Sequence, residues 1–408
     1  MRKPLTPLQA FAEDARHAAE RASDLGDALI PWLSVAQSAD QLSASSGVRR
    51  TVALDAARAL LVAFANERPT MRHDVQPAPS DQLERVAEQF RAAAEAMERA
   101  GCFELAYTTV SAICRLTARA DYVSAALATV HLGRIARQMN DLSTAEDCYV
   151  TMLNTSMRER DGPLAARGHI GLALLHDTRG NMPAAEAEYL KALELAVPSG
   201  MAFASACQGL MTISLDGGRV ADALIYGWQL YDATEHDLDA RTAALADLSV
   251  VALRAGFFQA AMSGFEHALT LSQVARVHMV TLSGAVRAAA RLGDLERVRQ
   301  FDQELLRDIA RANLPHVAAM VLLYSAESWA VVGQRGTANA RLQESRGLAN
   351  RFGFHEYEFK ADTLAAGWAR AEQHNAPVAN VVLDPVLTFD RQDPHIGVGI
   401  HRLEALSV

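Results

Sequence analysis

The sequence predicts an all-α fold, an α-solenoid of antiparallel helical hairpins. Three observations predict it. Glycine or asparagine recurs about every 37–40 residues between Gly101 and Gly333. The stretches between these positions carry apolar residues at helical spacing. Residues 166–196 show both features together, because two helix-length apolar patterns flank the break at Gly180. One such hairpin cannot bury both of its faces, so it needs neighbouring hairpins of the same kind.

Composition and charge limit the classes of protein to which this chain can belong. A chain of 408 residues would usually form two or three globular domains, but a repeat array has no single core. The net charge of -9 argues against a general nucleic-acid-binding surface. The sequence has neither a signal-peptide pattern nor an apolar run of membrane-spanning length, so we expect a cytoplasmic protein without a membrane contact. The four cysteines form no CxxC pair, and we expect small buried residues in a reducing compartment.

The chain divides into three regions. Residues 1–80 form an N-terminal helical region, with helices predicted over 8–24, 27–44 and 48–67, and end in a proline-containing loop. Residues 81–374 form the hairpin array, which begins where Asp81 caps a helix with Glu84 in the reciprocal position. Its last helix, residues 355–373, caps the open end of the array.

The hairpins share one pattern. The predicted turn residues are Gly101, Asn140, Gly180, Gly218, Gly256, Gly293 and Gly333. Glycine and asparagine suit the left-handed conformation that ends a helix. A small or compact residue stands five positions after each turn and a mostly bulky one four positions further on. Gly227 and Asp302 depart from this second rule.

The residues that recur at these positions resemble the tetratricopeptide repeat (TPR) family over about residues 82–350. The three best hairpins carry Leu132-Gly133, Asn140-Asp141, Ala145 and Tyr149; Leu172-Ala173, Gly180-Asn181, Ala185, Tyr189 and Ala192; and Leu248-Ser249, Gly256, Ala261, Phe265 and Ala268. The resemblance implies a right-handed α-solenoid of about seven repeats. The repeat period is longer than is usual for the family. This long-period variant resembles the superhelical sensor regions of bacterial regulators. Such repeats are scaffolds onto which different sites are grafted.

Residues 375–408 differ from the array and are predicted to be an irregular C-terminal tail. They contain Pro377, Pro385 and Pro394 and the β-prone runs VANVVL and IGVGI. Two alternatives remain open. The tail is either disordered or an extended strip packed on the solenoid, where it could close the groove.

No catalytic constellation stands out, and we expect no enzyme activity, cofactor or metal. His176-Asp177 is a pair found in some metal-dependent helical phosphohydrolases, but the distant histidine and aspartate that these enzymes also need cannot be assigned. Gly397 and Gly399 lack the third glycine and the opening helix of a dinucleotide site. No serine stands at a nucleophile elbow.

A binding surface can be placed geometrically. In stacked hairpins the first helices line the concave side, and residues about two, three, six, ten and thirteen positions before each turn face the groove. The candidate partner-binding residues are Arg134, Arg137, Gln138, Arg167, Asp177, Gln208, Arg254, Arg287 and Arg291. The last hairpin adds Glu327 and the first adds Glu88, Glu95 and Glu98.

Guanidinium groups on such a wall would hold carboxylates or carbonyls of an acidic or C-terminal peptide segment. The competing interpretation is a solvated arginine surface. The leading hypothesis is a non-enzymatic adaptor that binds a polypeptide in the concave groove. The alternative is a regulatory sensor that binds a small molecule or signalling peptide. No DNA-binding helix-turn-helix is recognisable, so a sensor would act through a separate output protein. The sequence leaves the oligomeric state open.

Overall fold

The computed structural model describes residues 103–117, 122–198, 200–271, 274–312 and 314–406, together with Arg91, Ala94, Glu95 and Glu98. The predicted N-terminal region, residues 1–80, and the first predicted turn at Gly101 lie outside these residues. The regular elements of the described residues are 15 α-helices and one 3-10 turn, with no strand. The all-α prediction is therefore confirmed for this part of the chain. The number and handedness of the repeats stay predictions.

The described residues form two compact units, unit 1 up to Ala196 and unit 2 from Val197. Unit 1 contains α1 (Phe103–Thr117), α2 (Tyr122–Gln138), α3 (Leu142–Glu159), α4 (Gly162–Thr178) and α5 (Met182–Leu195). Each helix packs against the next, and α2 also contacts α4. This order of contacts is that of the hairpins α2–α3 and α4–α5 lying side by side, with α2 and α4 as their first helices.

Unit 2 contains four hairpins followed by three further elements. The hairpins are α6 (Met201–Asp216) with α7 (Val220–Ala233), α8 (Leu238–Arg254) with α9 (Phe258–Leu271), α10 (Ala275–Leu292) with α11 (Leu295–Arg311), and α12 (Pro315–Val331) with α13 (Arg335–Phe352). They are followed by α14 (His355–Gln373), a 3-10 turn (Val378–Asn380) and α15 (Pro394–Ala405). First helices contact one another in the order α8, α10, α12 and α14.

The predicted turns are confirmed where the structure describes them. Asn140 has a φ of 63°, and the five predicted glycines from Gly180 to Gly333 have φ between 72° and 80°. The next residue often caps the second helix. The side chains of Asp141, Asn181 and Asp294 accept hydrogen bonds from main-chain N–H groups three residues on, at 3.1, 3.3 and 3.0 Å. Turn and cap together fix where each second helix begins.

Aromatic residues of second helices hold neighbouring hairpins together. Tyr149 of α3 is 1 % exposed. A Cβ on Gly133 of α2 would lie 2.8 Å from its ring, and one on Gly171 of α4 would overlap the ring. Phe265 of α9 meets Gly284 of α10 in the same way. These aromatic rings fill the space that the glycines leave on the first helices, which is why both residue types are needed at their positions.

The two departures from the sequence pattern have different physical solutions. Opposite Gly227 of α7, Leu248 of α8 fills the space, and its Cδ2 would lie 2.6 Å from a Cβ added at position 227. Asp302 of α11 is buried, and its Oδ1 accepts a 2.5 Å hydrogen bond from Ser325 Oγ of α12. Arg341 Nη2 of α13 lies 3.0 Å from Asp302 Oδ2. A buried polar network therefore joins these two hairpins.

The last helices differ in part from the prediction. Helix α14 spans the predicted residues and buries Trp368 completely. The tail, however, is not irregular throughout, because Pro394–Ala405 form α15. Asp393 caps this helix, and its buried residues Ile396, Ile400 and Leu403 share one helical face. That face packs against the second helices α7 and α9. Helical spacing and the cap outweigh the β-prone composition of IGVGI.

Candidate functional site

The candidate residues fall into two separate sets. Arg134, Arg137, Gln138, Arg167 and Asp177 lie on the first helices α2 and α4 of unit 1, which we call the unit-1 face. Gln208, Arg254, Arg287 and Arg291 lie on the first helices α6, α8 and α10, which together with α12 form the unit-2 face. Each set is described within its own unit.

On the unit-1 face, Arg134 is part of an ion cluster. Its Nη2 lies 2.7 Å from Glu98 Oε2, and His131 Nε2 lies 3.2 Å from the same oxygen. Burial alone would raise the pKa of Glu98, but the hydrogen bond from His131 and the charge of Arg134 outweigh it and lower that pKa. The Arg134 side chain is still 45 % exposed, so it can reach a second anion.

Arg137 bridges the two first helices of unit 1. Its Nη1 donates to Thr178 Oγ1 at 3.4 Å, while its Nε is buried without a hydrogen bond among the described residues. Burial raises the pKa of Tyr149 and, to about 12, that of Tyr189, and the Arg137 charge opposes both shifts. The guanidinium group therefore lies near both tyrosines with a donor still unused.

The side chains of the other three residues of the unit-1 face have no ion-pair or hydrogen-bond partner among the described residues. Gln138 and Asp177 are exposed and Arg167 is half-buried. Asp177 is close enough to Tyr189 for its charge to raise that pKa. The unit-1 face thus presents two arginines, Arg134 and Arg167, and the spare donor of Arg137 beside a single exposed aspartate.

On the unit-2 face, Gln208 and Arg254 link α6 to α8. Gln208 Nε2 donates to Asp247 Oδ2 at 3.3 Å, and Arg254 Nη1 lies 2.7 Å from Asp216 Oδ1. Burial raises the pKa of Asp247 to about 6, and the hydrogen bond from Gln208 opposes the rise. These two candidates link neighbouring hairpins, while Arg254 Nε is buried without a hydrogen-bond partner among the described residues.

The other end of the unit-2 face holds a piece of the chain's own tail. Arg287 Nη2 lies 2.7 Å from Asp384 Oδ2, and the guanidinium carbon is 4.3 Å from the centre of the Tyr324 ring. Glu327 Oε2 accepts a 2.7 Å hydrogen bond from the Leu383 main-chain N–H. We call Arg287, Tyr324 and Glu327 the tail clasp. The clasp holds a carboxylate and a main-chain group of the same extended segment.

The clasp is shielded from water. Arg287 is 8 % and Glu327 2 % exposed. Burial raises the pKa of Glu327 against the positive charges of Arg287 and Arg291, the latter 3.8 Å from Glu327 Oε1. Burial also raises the pKa of Tyr324 to about 12, and the nearby Asp384 carboxylate adds to the rise. A charge-assisted hydrogen bond in such surroundings is worth about 1.5–3 kcal/mol.

The tail runs beyond the clasp along the ends of further helices. The Leu387 N–H donates to the main-chain oxygen of Arg254 at 2.8 Å. Arg391 Nη2 donates to the main-chain oxygen of Ala255 at 3.4 Å and lies over the Phe257 ring. The chain then enters α15, where Gly399 accepts a 3.2 Å hydrogen bond from Trp228 Nε1. The tail therefore lies on first helices at one end and on second helices at the other.

The tail is packed on unit 2, as the second alternative expects, but residues 394–405 are helical rather than extended. Sequence reasoning found Arg287, Arg291 and Glu327 from their register but missed Asp384. Asp384 stands 97 positions from its partner Arg287. The sequence does show an aspartate before Pro385 in an apolar run. Its role could be recognised only once the position of its partner Arg287 was known.

The described residues give little support for thiol chemistry or metal binding. Burial raises the pKa of the Cys114 and Cys207 thiols to about 12 and that of Cys148 to about 11, so these thiols stay protonated. The described residues include no group of three metal-ligating side chains. None of their helices has the length and apolar character needed to cross a membrane. No protein-family model matches the chain, and no curated protein is significantly similar to it.

Proposed function

We propose that this protein is a non-enzymatic interaction scaffold, a TPR-like hairpin array that binds polypeptide segments on its first helices. One observation carries the proposal. The unit-2 face already binds an extended polypeptide segment, because the tail clasp holds Asp384 by its carboxylate and Leu383 by its main-chain N–H. The proposed partner is therefore a protein or peptide with an acidic extended segment or a free C-terminal carboxylate.

The unit-1 face supports the same role for another chain. Like the clasp, it combines arginine donors with a carboxylate that can accept a main-chain N–H. Unlike Arg287, Arg134 is 45 % exposed and Arg137 has a buried Nε without a hydrogen-bond partner among the described residues. A guanidinium group with unused donors favours a planar carboxylate, which it can hold through two parallel hydrogen bonds.

A second candidate is a sensor that binds a small molecule or signalling peptide and acts through a separate output protein. The buried charges of Arg287 and Glu327 favour it, because a small ligand with a carboxylate could pair with Arg287 in the place that Asp384 takes. Any ligand that binds only the folded chain raises the thermal unfolding temperature, by an amount that grows with the logarithm of its concentration relative to its Kd. A small molecule that gives this shift while the acidic peptides give none would favour the sensor, and the reverse result would favour the scaffold.

The test uses the full chain and labelled twelve-residue peptides that carry two aspartates among apolar residues, with asparagine versions as the reference. We expect the aspartate peptides to bind about tenfold more tightly, as one to two charge-assisted hydrogen bonds would give. Reversing charge at Arg134→Glu with Arg137→Glu should abolish this preference. A preference that survives the reversal would refute binding on the unit-1 face, and aspartate and asparagine peptides that bind alike would refute the proposal.

The matched control is Arg158→Glu with Arg160→Glu. These arginines lie at the end of α3, both exposed, and the change in net charge is the same. Peptide binding should be unchanged by the control pair. A loss with both pairs would mean that overall charge, rather than the unit-1 face, attracts the peptide.

A further inference from the structure

The tail is held unevenly along its length. No residue from 381 to 391 is buried, whereas Ile396, Gly399, Ile400 and Leu403 of α15 are. The segment 381–391, which we call the strap, is fixed by polar contacts at the clasp and by one main-chain hydrogen bond, from Leu387 to the end of α8. The Arg391 side chain and the partly buried Val381 and Phe389 add contacts to the array. Helix α15 is fixed by apolar packing against α7 and α9. The strap can therefore leave the surface while α15 keeps the tail attached.

The clasp is matched to a polypeptide rather than to the strap alone. Arg287 offers donors to a carboxylate, Glu327 accepts a main-chain N–H, and the Tyr324 ring covers the guanidinium group. Arg287 and Glu327 belong to the array and have opposite charge, so their attraction preserves the site when the strap leaves. Val381 packs on Gly367 of α14, and a Cβ at position 367 would lie 2.5 Å from Val381 Cγ1. The site thus takes an apolar residue three positions before an acidic one.

We propose that the unit-2 face is a binding site for an extended segment of another polypeptide with an aspartate among apolar residues, and that the strap is its internal occupant. This inference rests on the proposed scaffold function and adds its regulation. A partner segment of the same chemistry must displace the strap before it can bind. Exposed side chains such as Val386, 40 % exposed, leave the strap open to such replacement.

Tethering makes the internal occupant hard to displace. A segment joined to its site at both ends has an effective concentration of about millimolar, far above that of a free peptide. Weakening the strap at one contact therefore raises the apparent affinity of an external peptide. Asp384 is the contact to change, because it is the strap's only side chain that pairs with a charged residue of the described array.

The experiment uses the full chain and a labelled peptide of residues 378–391, VANVVLDPVLTFDR. Its affinity is measured by fluorescence anisotropy for the natural chain and for Asp384→Asn. We expect the variant to bind at least tenfold more tightly. The control is Asp390→Asn, which makes the same charge change at an exposed strap position, where the carboxylate accepts a hydrogen bond from the nearby Gln392 N–H and pairs with no charged residue of the described array. This variant should bind the peptide as the natural chain does.

A second peptide, with asparagine in place of the aspartate that matches Asp384, tests the chemistry of the site. It should bind the Asp384→Asn chain at least tenfold more weakly than the first peptide does. Equal binding of both peptides, or no gain of affinity in the Asp384→Asn chain, would overturn the inference. Neither result depends on Arg134 or Arg137, so a failure of the scaffold proposal on the unit-1 face would be seen separately.

Discussion

Replacing Asp302 by alanine should weaken the junction between the α10–α11 and α12–α13 hairpins. The side chain of Asp302 is 3 % exposed, and the Arg341 side chain that it pairs with is 15 % exposed. Removing one partner of a buried ion pair costs about 3–5 kcal/mol, because the remaining charge is left without compensation. Arg341 keeps a second carboxylate, Glu344, at 3.2 Å. We therefore expect a loss near the lower end, about 3 kcal/mol in the free energy of unfolding.

The same junction can be rebuilt without charge. The triple variant Asp302→Leu, Ser325→Ala and Arg341→Met removes every member of the network and restores the bulky apolar residue that the repeat pattern expects. Replacing a buried ion pair by apolar residues of similar volume is often neutral or stabilising. We expect the triple variant to lie within about 1 kcal/mol of the natural chain or above it.

Urea unfolding followed by circular dichroism measures both variants, and hydrogen exchange of α12 shows that the loss is local to the junction. The control is Arg346→Ala on α13, the helix that also carries Arg341, which breaks an exposed ion pair to Asp362 of α14. Exposed pairs contribute only about 0–1 kcal/mol. An Asp302→Ala chain no less stable than this control would refute the assignment of Asp302 as the polar link between hairpins.

Two further predictions concern packing and protonation. Gly171→Ala should destabilise unit 1 by about 1–3 kcal/mol, because a methyl group there overlaps the Tyr149 ring. The control is Gly347→Ala, whose methyl group would meet no atom within 4 Å and should not destabilise unit 2. Equal effects of the two substitutions on the urea midpoint would contradict this prediction. The pKa of Asp247 is raised to about 6 in the folded protein, so folding binds its proton more tightly and stability falls as pH rises from about 4 to 6. Asp247→Asn should remove that fall, by at most about 3 kcal/mol, and parallel stability profiles of the two chains between pH 4 and 7 would contradict the assignment.

The local features of the fold were readable from the sequence. A left-handed turn residue and the cap that follows it act within a few positions, so Asn140 and Gly180 could be identified as helix ends without knowing the rest of the molecule. Helix α15 could also have been predicted, since its cap Asp393 and the helical spacing of Ile396 and Ile400 are visible within a few positions of the sequence. The glycines of IGVGI obscured it. Gly399 is there because Leu224 and Trp228 approach closely, which the sequence does not show.

The long-range contacts could not be read in the same way. The register of the first helices picks out Arg287 and Glu327 as residues of one face, and both contact the strap, but the register does not show what covers them. Asp302 stood out as a departure from the repeat pattern, and its partner Arg341 lies 39 positions away. A polar residue at a core position is costly unless paired, so the departure predicts that a partner exists and leaves its identity to the folded chain.

Hydrogen exchange of the strap amides in the natural chain, resolved to single residues, tests most directly whether the array binds an extended polypeptide. Leu383 and Leu387 donate main-chain hydrogen bonds to Glu327 and to the oxygen of Arg254. We expect their amides to exchange at least about tenfold more slowly than those of Val386 and Thr388. Exchange of all four amides at the rate of a free chain would contradict the account.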